Sequence, residues 1–257
     1  MHVRNWTLVA LAAVALVGCR GGFRLSQYPT PQSLYEAGVR EYEQEHWNNA
    51  IAAFEKLTLD LSARDTLLPR AFWYLANAHS RQREHLLAAQ AYSRLFESFP
   101  DDTLADDAAL AAGRSYRRLW RKPTLDPTYG ETALATFSTL IGLYGESSEH
   151  ADAARREIAE LEEWFATKSY MTGRFYQRRR AFDSAIIYYR EVLDRWPHVP
   201  RARDALLRLA ESYRAIRYGE DYAEICARLR ETYSADAEVA EVCRDAPLPS
   251  GGQTLIP

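Results

Sequence analysis

The stretch from Lys168 to Pro197 constrains the fold most, because its small and large residues recur at intervals that suit two packed helices. Intervals of 3, 9, 4 and 8 separate Gly173, Tyr176, Ala185, Tyr189 and Pro197. Two antiparallel helices can cross closely only where a side chain is small, so we expect Gly173 and Ala185 at the crossing. The two tyrosine rings then fill the space beside it, and Pro197 ends the second helix.

The same offsets are typical of tetratricopeptide repeats, which form helical hairpins. One hairpin cannot bury its apolar face alone, so stacked copies are expected. The chain predicts five hairpins, at about residues 32–62, 67–100, 102–145, 148–197 and 200–234. The predicted fold is therefore all-α, a right-handed α-solenoid over residues 32–235. Residues 236–257 are predicted to be a disordered C-terminal tail.

Two repeats depart from the regular period. In the third, 20 residues separate Gly113 from Ala133, against 12 between Gly173 and Ala185, so eight residues are inserted near 121–129. From Ala133 to Ala185 there are 52 residues, 18 more than a period of about 34. A long helix is therefore expected to lead into the fourth repeat.

Composition agrees with a helical, water-facing domain. Only 12 of 257 residues are glycine, and 47% are hydrophobic. The net charge is −3, with 32 basic and 35 acidic residues. Basic residues are matched by acidic ones along the chain, so a nucleic-acid partner is not expected.

The N-terminus predicts export and a lipid anchor. A twelve-residue apolar run from Trp6 to Val17 follows His2 and Arg4, too short to span a bilayer and of the length of a signal-peptide core. It ends in LVGC, which resembles the lipobox of bacterial lipoprotein precursors. We expect residues 1–18 to be a signal peptide and Cys19 to carry the covalent lipid. An ordinary signal peptide with an incidental cysteine, or a short membrane anchor, remains the alternative.

Residues 19–31 are expected to be a tether, since they contain Gly, Pro and Ser without periodicity. In lipoproteins of this kind, Asp after the lipidated cysteine is typical of retention in the inner membrane. This chain has Arg20, which favours the outer membrane.

No catalytic constellation is recognisable. The sequence contains no nucleophile elbow, phosphate-binding loop, dinucleotide fingerprint or His-Glu-x-x-His pair, and its six histidines are scattered. We therefore expect no enzymatic activity, no cofactor and no metal. Cys226 and Cys243 could form a disulfide in an oxidising compartment, or Cys226 could be a small core residue.

Function in such repeats usually lies on the face lined by the first helix of each hairpin. The predicted peptide-binding residues are Tyr35, Val39, Tyr42, Trp73, Asn77, Ser80 and Arg81. The predicted partner-binding residues of the fourth repeat are Tyr170, Arg174, Gln177 and Arg178. Aromatic rings beside amides and arginines suit an extended peptide. The alternative is that Tyr35 and Trp73 simply pack between hairpins.

Two arginine clusters have structural interpretations. Cations near the end of the third repeat's first helix complement the helix dipole. They are Arg114, Arg117, Arg118 and Arg121. The run Arg174, Arg178, Arg179 and Arg180 either does the same or contacts an acidic partner.

Several local signatures accompany the lipobox, the tether, the interrupted third repeat and the long helix. They are Asp126-Pro127, Ala133-x-x-x-Phe137-x-x-Leu140, Tyr144, Ala151 to Arg156, Phe175-Tyr176 and Arg203-Asp204-Ala205-Leu206. In this order they resemble the BamD-like lipoproteins of the outer-membrane β-barrel assembly machinery. Gly145 and Ser62 stand where that family has repeat-end prolines, and the C-terminal tail has no family counterpart.

The resemblance implies a non-enzymatic scaffold, lipid-anchored at the periplasmic face of the outer membrane. Its implied partners are the POTRA region of a BamA-like barrel protein, targeting segments of unfolded outer-membrane proteins and other lipoproteins of the complex. Two alternatives are another helical-repeat adaptor, such as a pilus-assembly pilotin or a peptidoglycan-enzyme adaptor, and a hydrolytic lipoprotein. The inserted loop disfavours the first, and the missing catalytic residues disfavour the second.

Overall fold

A computed structural model of the chain describes residues 22–145 and 148–247. These residues form eleven α-helices, a short 3-10 turn at Leu25–Gln27 and no strand, which confirms the all-α prediction. The predicted signal peptide, the lipidation site Cys19 and the start of the tether lie outside the described residues. The last ten residues of the predicted tail also lie outside them.

The chain divides into two compact units, with the boundary between Glu84 and His85. The N-terminal unit contains three helices: α1 (Pro31–Glu43), α2 (Trp47–Asp60) and α3 (Leu68–Arg81). Helix α1 packs on α2, α2 packs on α3, and α1 also contacts α3. This contact between alternate helices is what stacked helical hairpins require.

The C-terminal unit contains the other eight helices. They are α4 (His85–Ser98), α5 (Ala105–Leu119), α6 (Thr128–Tyr144), α7 (Ala151–Arg178), α8 (Phe182–Arg195), α9 (Pro200–Ala215), α10 (Gly219–Thr232) and α11 (Ala237–Val242). Each helix packs on the next, and α5 also contacts α7, α7 contacts α9, and α9 contacts α11. The helical-hairpin repeat is thus present in both units.

Helices cross where the spacing predicts a small residue. A Cβ added to Gly173 would lie 2.6 Å from Cε1 of Tyr189, and one added to Gly38 would lie 2.9 Å from Cζ of Phe54. The third repeat repeats this pairing, since a Cβ on Gly113 would lie 2.4 Å from the Phe137 ring. In each of these hairpins, the glycine of the first helix therefore packs against an aromatic ring of the second helix. That ring lies four positions after the alanine at the crossing.

Four turns that follow helices contain a non-glycine residue in the left-handed region: Glu45, Arg83, Arg180 and Arg217, with φ of 61°, 64°, 59° and 62°. Each lies two residues beyond the end of the helix that precedes it: α1, α3, α7 and α9. After α1 the amide of His46 donates to the carbonyl of Glu41 at 2.9 Å. This is the hydrogen bond of a Schellman motif, which reverses the chain in three residues.

Both predicted departures from the period are found. The insertion is the segment between α5 and α6, tied to α7 by Lys168 Nζ donating to the Leu125 carbonyl at 2.8 Å. The predicted long helix is α7, which runs for 28 residues without a break.

The prediction of a disordered tail from residue 236 is wrong for the part that the structure describes. Asp236 caps α11 by accepting from the amide of Glu238 at 2.9 Å. The Tyr222 hydroxyl donates to the Val242 carbonyl at 2.8 Å, and Arg203 Nε donates to Asp236 at 2.8 Å. These contacts come from α9 and α10, so they provide tertiary stabilisation for a helix too short to be stable alone.

Candidate binding surfaces

The predicted peptide-binding residues lie on α1 and α3 of the N-terminal unit, two helices that contact each other. We call them the N-terminal face. Arg81 is exposed and the other six are partly exposed: Tyr35, Val39, Tyr42, Trp73, Asn77 and Ser80. The face is therefore accessible, but its members have different roles.

Tyr35 and Tyr42 belong to an aromatic cluster centred on Tyr74. The Tyr74 ring stacks on Phe54 with centroids 5.2 Å apart. It also meets Tyr35 at 6.0 Å and Tyr42 at 5.3 Å, both edge to face. Burial raises the pKa of the Tyr35 phenol, and the neighbouring Tyr74 phenol raises it further. Both rings thus stabilise the packing of α1 on α2 and α3, as the packing alternative proposes for Tyr35.

Tyr74 was not predicted, although a sequence signal for it exists. It lies three residues after Ala71 and four before Ala78, both fully buried on the inner side of α3. Residues at these spacings share a helix face, so Tyr74 lies along the buried stripe of α3 although it is itself partly exposed.

The remainder of the N-terminal face is an edge of α3. The Asn77 amide donates to the carbonyl of Trp73 at 2.8 Å, one turn earlier in the helix. The Arg81 guanidinium lies 6.0 Å from the ring of Trp47, which is within range of a cation–π contact. One side of α3 thus carries four groups that could contact a peptide: the indole of Trp73, the amide of Asn77, the hydroxyl of Ser80 and the guanidinium of Arg81.

The predicted partner-binding set on α7 needs correction. The repeat spacing predicts an exposed Tyr170, but only 9% of the surface of this residue is exposed. Its ring lies 5.8 Å from Tyr189, and its hydroxyl accepts from Arg174 at 3.1 Å. Arg201 of α9 places its guanidinium 5.1 Å from the same ring. Tyr170 is a packing residue because α9 covers this turn of α7.

Gln177 joins three helices instead of facing a partner. Its carbonyl accepts from the Tyr189 hydroxyl at 2.8 Å, and its amide donates to Glu211 at 2.9 Å. Burial raises the pKa of Tyr189 well above its usual value, which keeps the phenol protonated as a donor. The exposed cations of the predicted set are Arg174, in part, and Arg178. Arg179 beside them covers the Phe175 ring at 3.6 Å.

Cys226 and Cys243 are joined as a disulfide, with their Cα atoms 5.5 Å apart. The bond ties α10 to the residue that follows α11, and both cysteines are fully buried. Arg230 also donates to the carbonyls of Cys243 and Ala246. The segment after α11 is therefore fixed to the C-terminal hairpin.

In residues 22–145 and 148–247, one group of side chains could hold a metal ion: Asp106, Asp107 and His150. His150 Nε2 lies 2.8 Å from Asp107 Oδ1, and the Ser148 hydroxyl donates to Asp106 at 3.0 Å. These contacts join α5 to the start of α7 and account for the cluster.

Among the described helices, none has the length and apolar character needed to cross a membrane.

Comparison with known proteins agrees on one family. The model of the outer membrane lipoprotein family YfiO matches residues 28–227. The outer membrane protein assembly factor BamD of Caulobacter vibrioides is 23% identical over 220 residues, covering 82% of this chain and 70% of the relative. The assembly factor BamD of Pasteurella multocida is 22% identical over 239 residues, covering 88% of this chain and 89% of the relative.

Among solved structures, YrrB, a TPR protein with an unusual peptide-binding site, is 12% identical with a TM-score of 0.39. The alignment covers 84% of this chain and 92% of YrrB. The family model spans the helices from α1 to most of α10 and both departures from the repeat period. This chain therefore belongs to the YfiO family of outer membrane lipoproteins.

Proposed function

We propose that this chain is a non-enzymatic scaffold of outer-membrane β-barrel assembly, lipid-anchored through Cys19 at the periplasmic face. The observation that carries the proposal is the family match over residues 28–227, together with the similarity to two outer membrane protein assembly factors. A lipid on Cys19, followed by a short tether to α1, would hold the helical hairpins at the membrane surface.

The N-terminal face would receive targeting segments of unfolded outer-membrane proteins. Tyr35 and Tyr42 pack against Tyr74 within the unit. The residues that would contact the peptide directly are therefore those of the α3 edge: Trp73, Asn77, Ser80 and Arg81. A partly exposed indole offers stacking area for an aromatic side chain, and the amide and guanidinium offer hydrogen bonds to an extended backbone. Such a surface suits clients that share an aromatic, extended segment.

The C-terminal unit would bind the POTRA region of a BamA-like barrel protein. Arg174 and Arg178 remain the candidate contacts on α7, because Tyr170 and Gln177 are used within the unit. The disulfide and α11 fix the end of this unit, which gives a partner a rigid surface. Other lipoproteins of the complex could bind the same unit.

The test is affinity purification of the tagged, lipidated chain from detergent-solubilised envelopes. A POTRA-containing barrel protein is expected to copurify in stoichiometric amount. The test variant is Arg174→Gln/Arg178→Gln. It should reduce the amount of copurified barrel protein without changing the helical content of the chain. Absence of any POTRA-containing protein from the eluate would refute the proposed function.

A further inference from the structure

A basic cleft of about 510 Å³ opens between the C-terminal end of α5 and the middle of α7. It is lined by Arg114, Arg117, Arg118, Trp120, Arg121, Glu157 and Trp164. Four guanidinium groups thus surround one carboxylate, and the surplus positive charge suits an anionic ligand.

Two of the four arginines are neutralised inside the unit. Glu157 accepts from Arg114 Nε at 2.8 Å and from Arg117 Nη1 at 2.6 Å, and Arg117 also binds Glu160. Arg118 and Arg121 are exposed, and no carboxylate of the described residues forms an ion pair with either. Their charges border the cleft without a carboxylate partner among the described residues, so they remain available to an anionic group from outside.

Trp120 adds a buried donor at the same place. Only 2% of the residue is exposed, and within the described part of the chain its Nε1 has no hydrogen-bond partner. The six-membered ring faces Gly130 of α6, since a Cβ there would lie 2.1 Å from Cε3. Trp120 also lines the cleft, and its indole packs against α7, with ring centroids 5.5 Å from Trp164 and 4.7 Å from Phe165. A buried donor left unpaired costs about 1–3 kcal/mol, which an incoming acceptor would recover.

We propose that this cleft binds an acidic segment of a partner protein, with a carboxylate side chain of that segment between Arg118 and Arg121. Guanidinium groups match a carboxylate through paired N–H donors. Trp120 Nε1 would donate to the same carboxylate or to the adjacent backbone carbonyl. The proposal concerns a surface other than the N-terminal face and does not depend on the proposed function.

A protein segment fits this surface better than a membrane does. Trp164, Lys168, Met171 and Phe175 follow one side of α7 at spacings of 4, 3 and 4, so they share a face. Met171 is 45% exposed and Phe175 is 41% exposed, so apolar surface continues along the helix beyond Lys168, with Arg179 over the Phe175 ring at 3.6 Å. A segment with acidic residues at one end and apolar ones after them would meet charge and then apolar surface. A recessed donor such as Trp120 Nε1 is better matched by a single side chain than by a flat layer of headgroups.

The inserted loop takes part in this surface. The Lys168 ammonium donates to the Leu125 carbonyl at 2.8 Å, which holds the loop against α7 one turn from Trp164. From the inserted segment itself, Arg121 lines the cleft.

The test uses the full-length lipoprotein in detergent micelles and a fluorescein-labelled 12-residue peptide in which a Glu-rich half is followed by a Leu-rich half. Fluorescence anisotropy should show binding that weakens with salt, and at least tenfold weaker binding for the peptide with Gln in place of Glu. Arg118→Gln/Arg121→Gln should raise the Kd for the acidic peptide at least tenfold. Arg64→Gln/Arg94→Gln, which removes the same charge from exposed positions elsewhere, should change it less than twofold.

A second measurement follows binding in the wild-type protein itself. In ¹⁵N-labelled wild-type protein, the indole N–H resonance of Trp120, assigned through Trp120→Phe, should shift downfield when the acidic peptide binds. Equal affinity for the Gln peptide, an unchanged Kd in Arg118→Gln/Arg121→Gln or an unmoved Trp120 resonance would each overturn the proposal. So would arginine-dependent binding of phosphatidylglycerol vesicles by a cleft that does not bind the peptide, since the ligand would then be a lipid surface.

Discussion

The ring of Tyr189 occupies the space that a side chain on Gly173 would need. A Cβ at Gly173 would lie 2.6, 2.8 and 3.0 Å from three atoms of that ring, which is closer than side chains approach one another. Tyr189 is fully buried, and its hydroxyl donates to Gln177, so the ring has little room to move. The pair sets the distance between α7 and α8 in the centre of the C-terminal unit.

Gly173→Ala is therefore expected to lower the free energy of unfolding by about 1–3 kcal/mol, as overpacking does in well-packed cores. Gly142→Ala is the matched control, because Gly142 is also helical but has no atom within 4 Å of the added Cβ. That change should stabilise by up to about 1 kcal/mol through helix propensity. Urea denaturation followed by circular dichroism measures both. Equal effects of the two substitutions would contradict the close approach of Gly173 and Tyr189.

Trp73→Ala and Tyr35→Ala should separate binding from packing on the N-terminal face. Trp73 lies on the α3 edge, so its removal should weaken binding of a peptide ending in an aromatic residue by about tenfold or more. Tyr35 packs on Tyr74 and Phe54, so Tyr35→Ala should instead lower stability, by about 1–3 kcal/mol. Isothermal titration and thermal denaturation give the two readouts. Full peptide affinity in folded Trp73→Ala would remove this binding site.

Removal of the disulfide should loosen the C-terminal hairpin. The bond closes a loop across a sequence separation of 17 residues, for which a loss of about 2–4 kcal/mol is typical. Cys226→Ala/Cys243→Ala should show this loss together with faster amide exchange in α11. Reduction of the wild-type protein should reproduce it. Unchanged exchange in α11 after reduction would show that the other contacts suffice.

The packing of α11 should weaken in acid. A hydrogen bond from Arg203 and backbone hydrogen bonds from Glu238 and Val239 lower the pKa of Asp236. A carboxyl with a lowered folded-state pKa stabilises the fold above its unfolded value of about 3.9, and this stability is lost as the pH falls through the folded-state pKa. Amide exchange in α11, corrected for its intrinsic pH dependence, should therefore show lower protection at pH 3 than at pH 6. Asp236→Asn keeps an N-cap side chain but loses the charge, so its protection should change less between these pH values.

The hairpin architecture could be predicted from the sequence because it depends on local spacing. Gly173 and Tyr189, Gly113 and Phe137, and the length of α7 all follow from intervals within one or two repeats. Such intervals specify which residues face each other across a hairpin.

Contacts between repeats could not be predicted in the same way. The repeat spacing predicts that Tyr170 lies on the surface of α7, but Arg201 of α9 covers it, and no interval within one hairpin predicts that contact. The composition of residues 236–257 predicts disorder, but contacts from Arg203 and Tyr222 on other helices stabilise the six-residue helix α11.

The basic cleft was hidden for the same reason. Arg114 and Arg117 are consistent with a helix-dipole role when α5 is considered alone. Their partner Glu157 lies 43 and 40 residues away on α7, and Trp164 is on that helix too. Only the packing of α5 against α7 brings these groups together and leaves Arg118 and Arg121 without carboxylate partners among the described residues.

Depletion of this protein in its native bacterium tests the role in barrel assembly most directly. Outer membranes would be isolated at intervals, and folded β-barrel proteins would be quantified by their resistance to unfolding in unheated detergent gels. Folded barrel proteins are expected to fall severalfold as the protein is lost, while their synthesis continues and unfolded forms collect in the periplasm. Re-expression of the wild-type chain should restore them, and Cys19→Ser should restore them less. Normal levels of folded barrel proteins after complete depletion would contradict a function in their assembly.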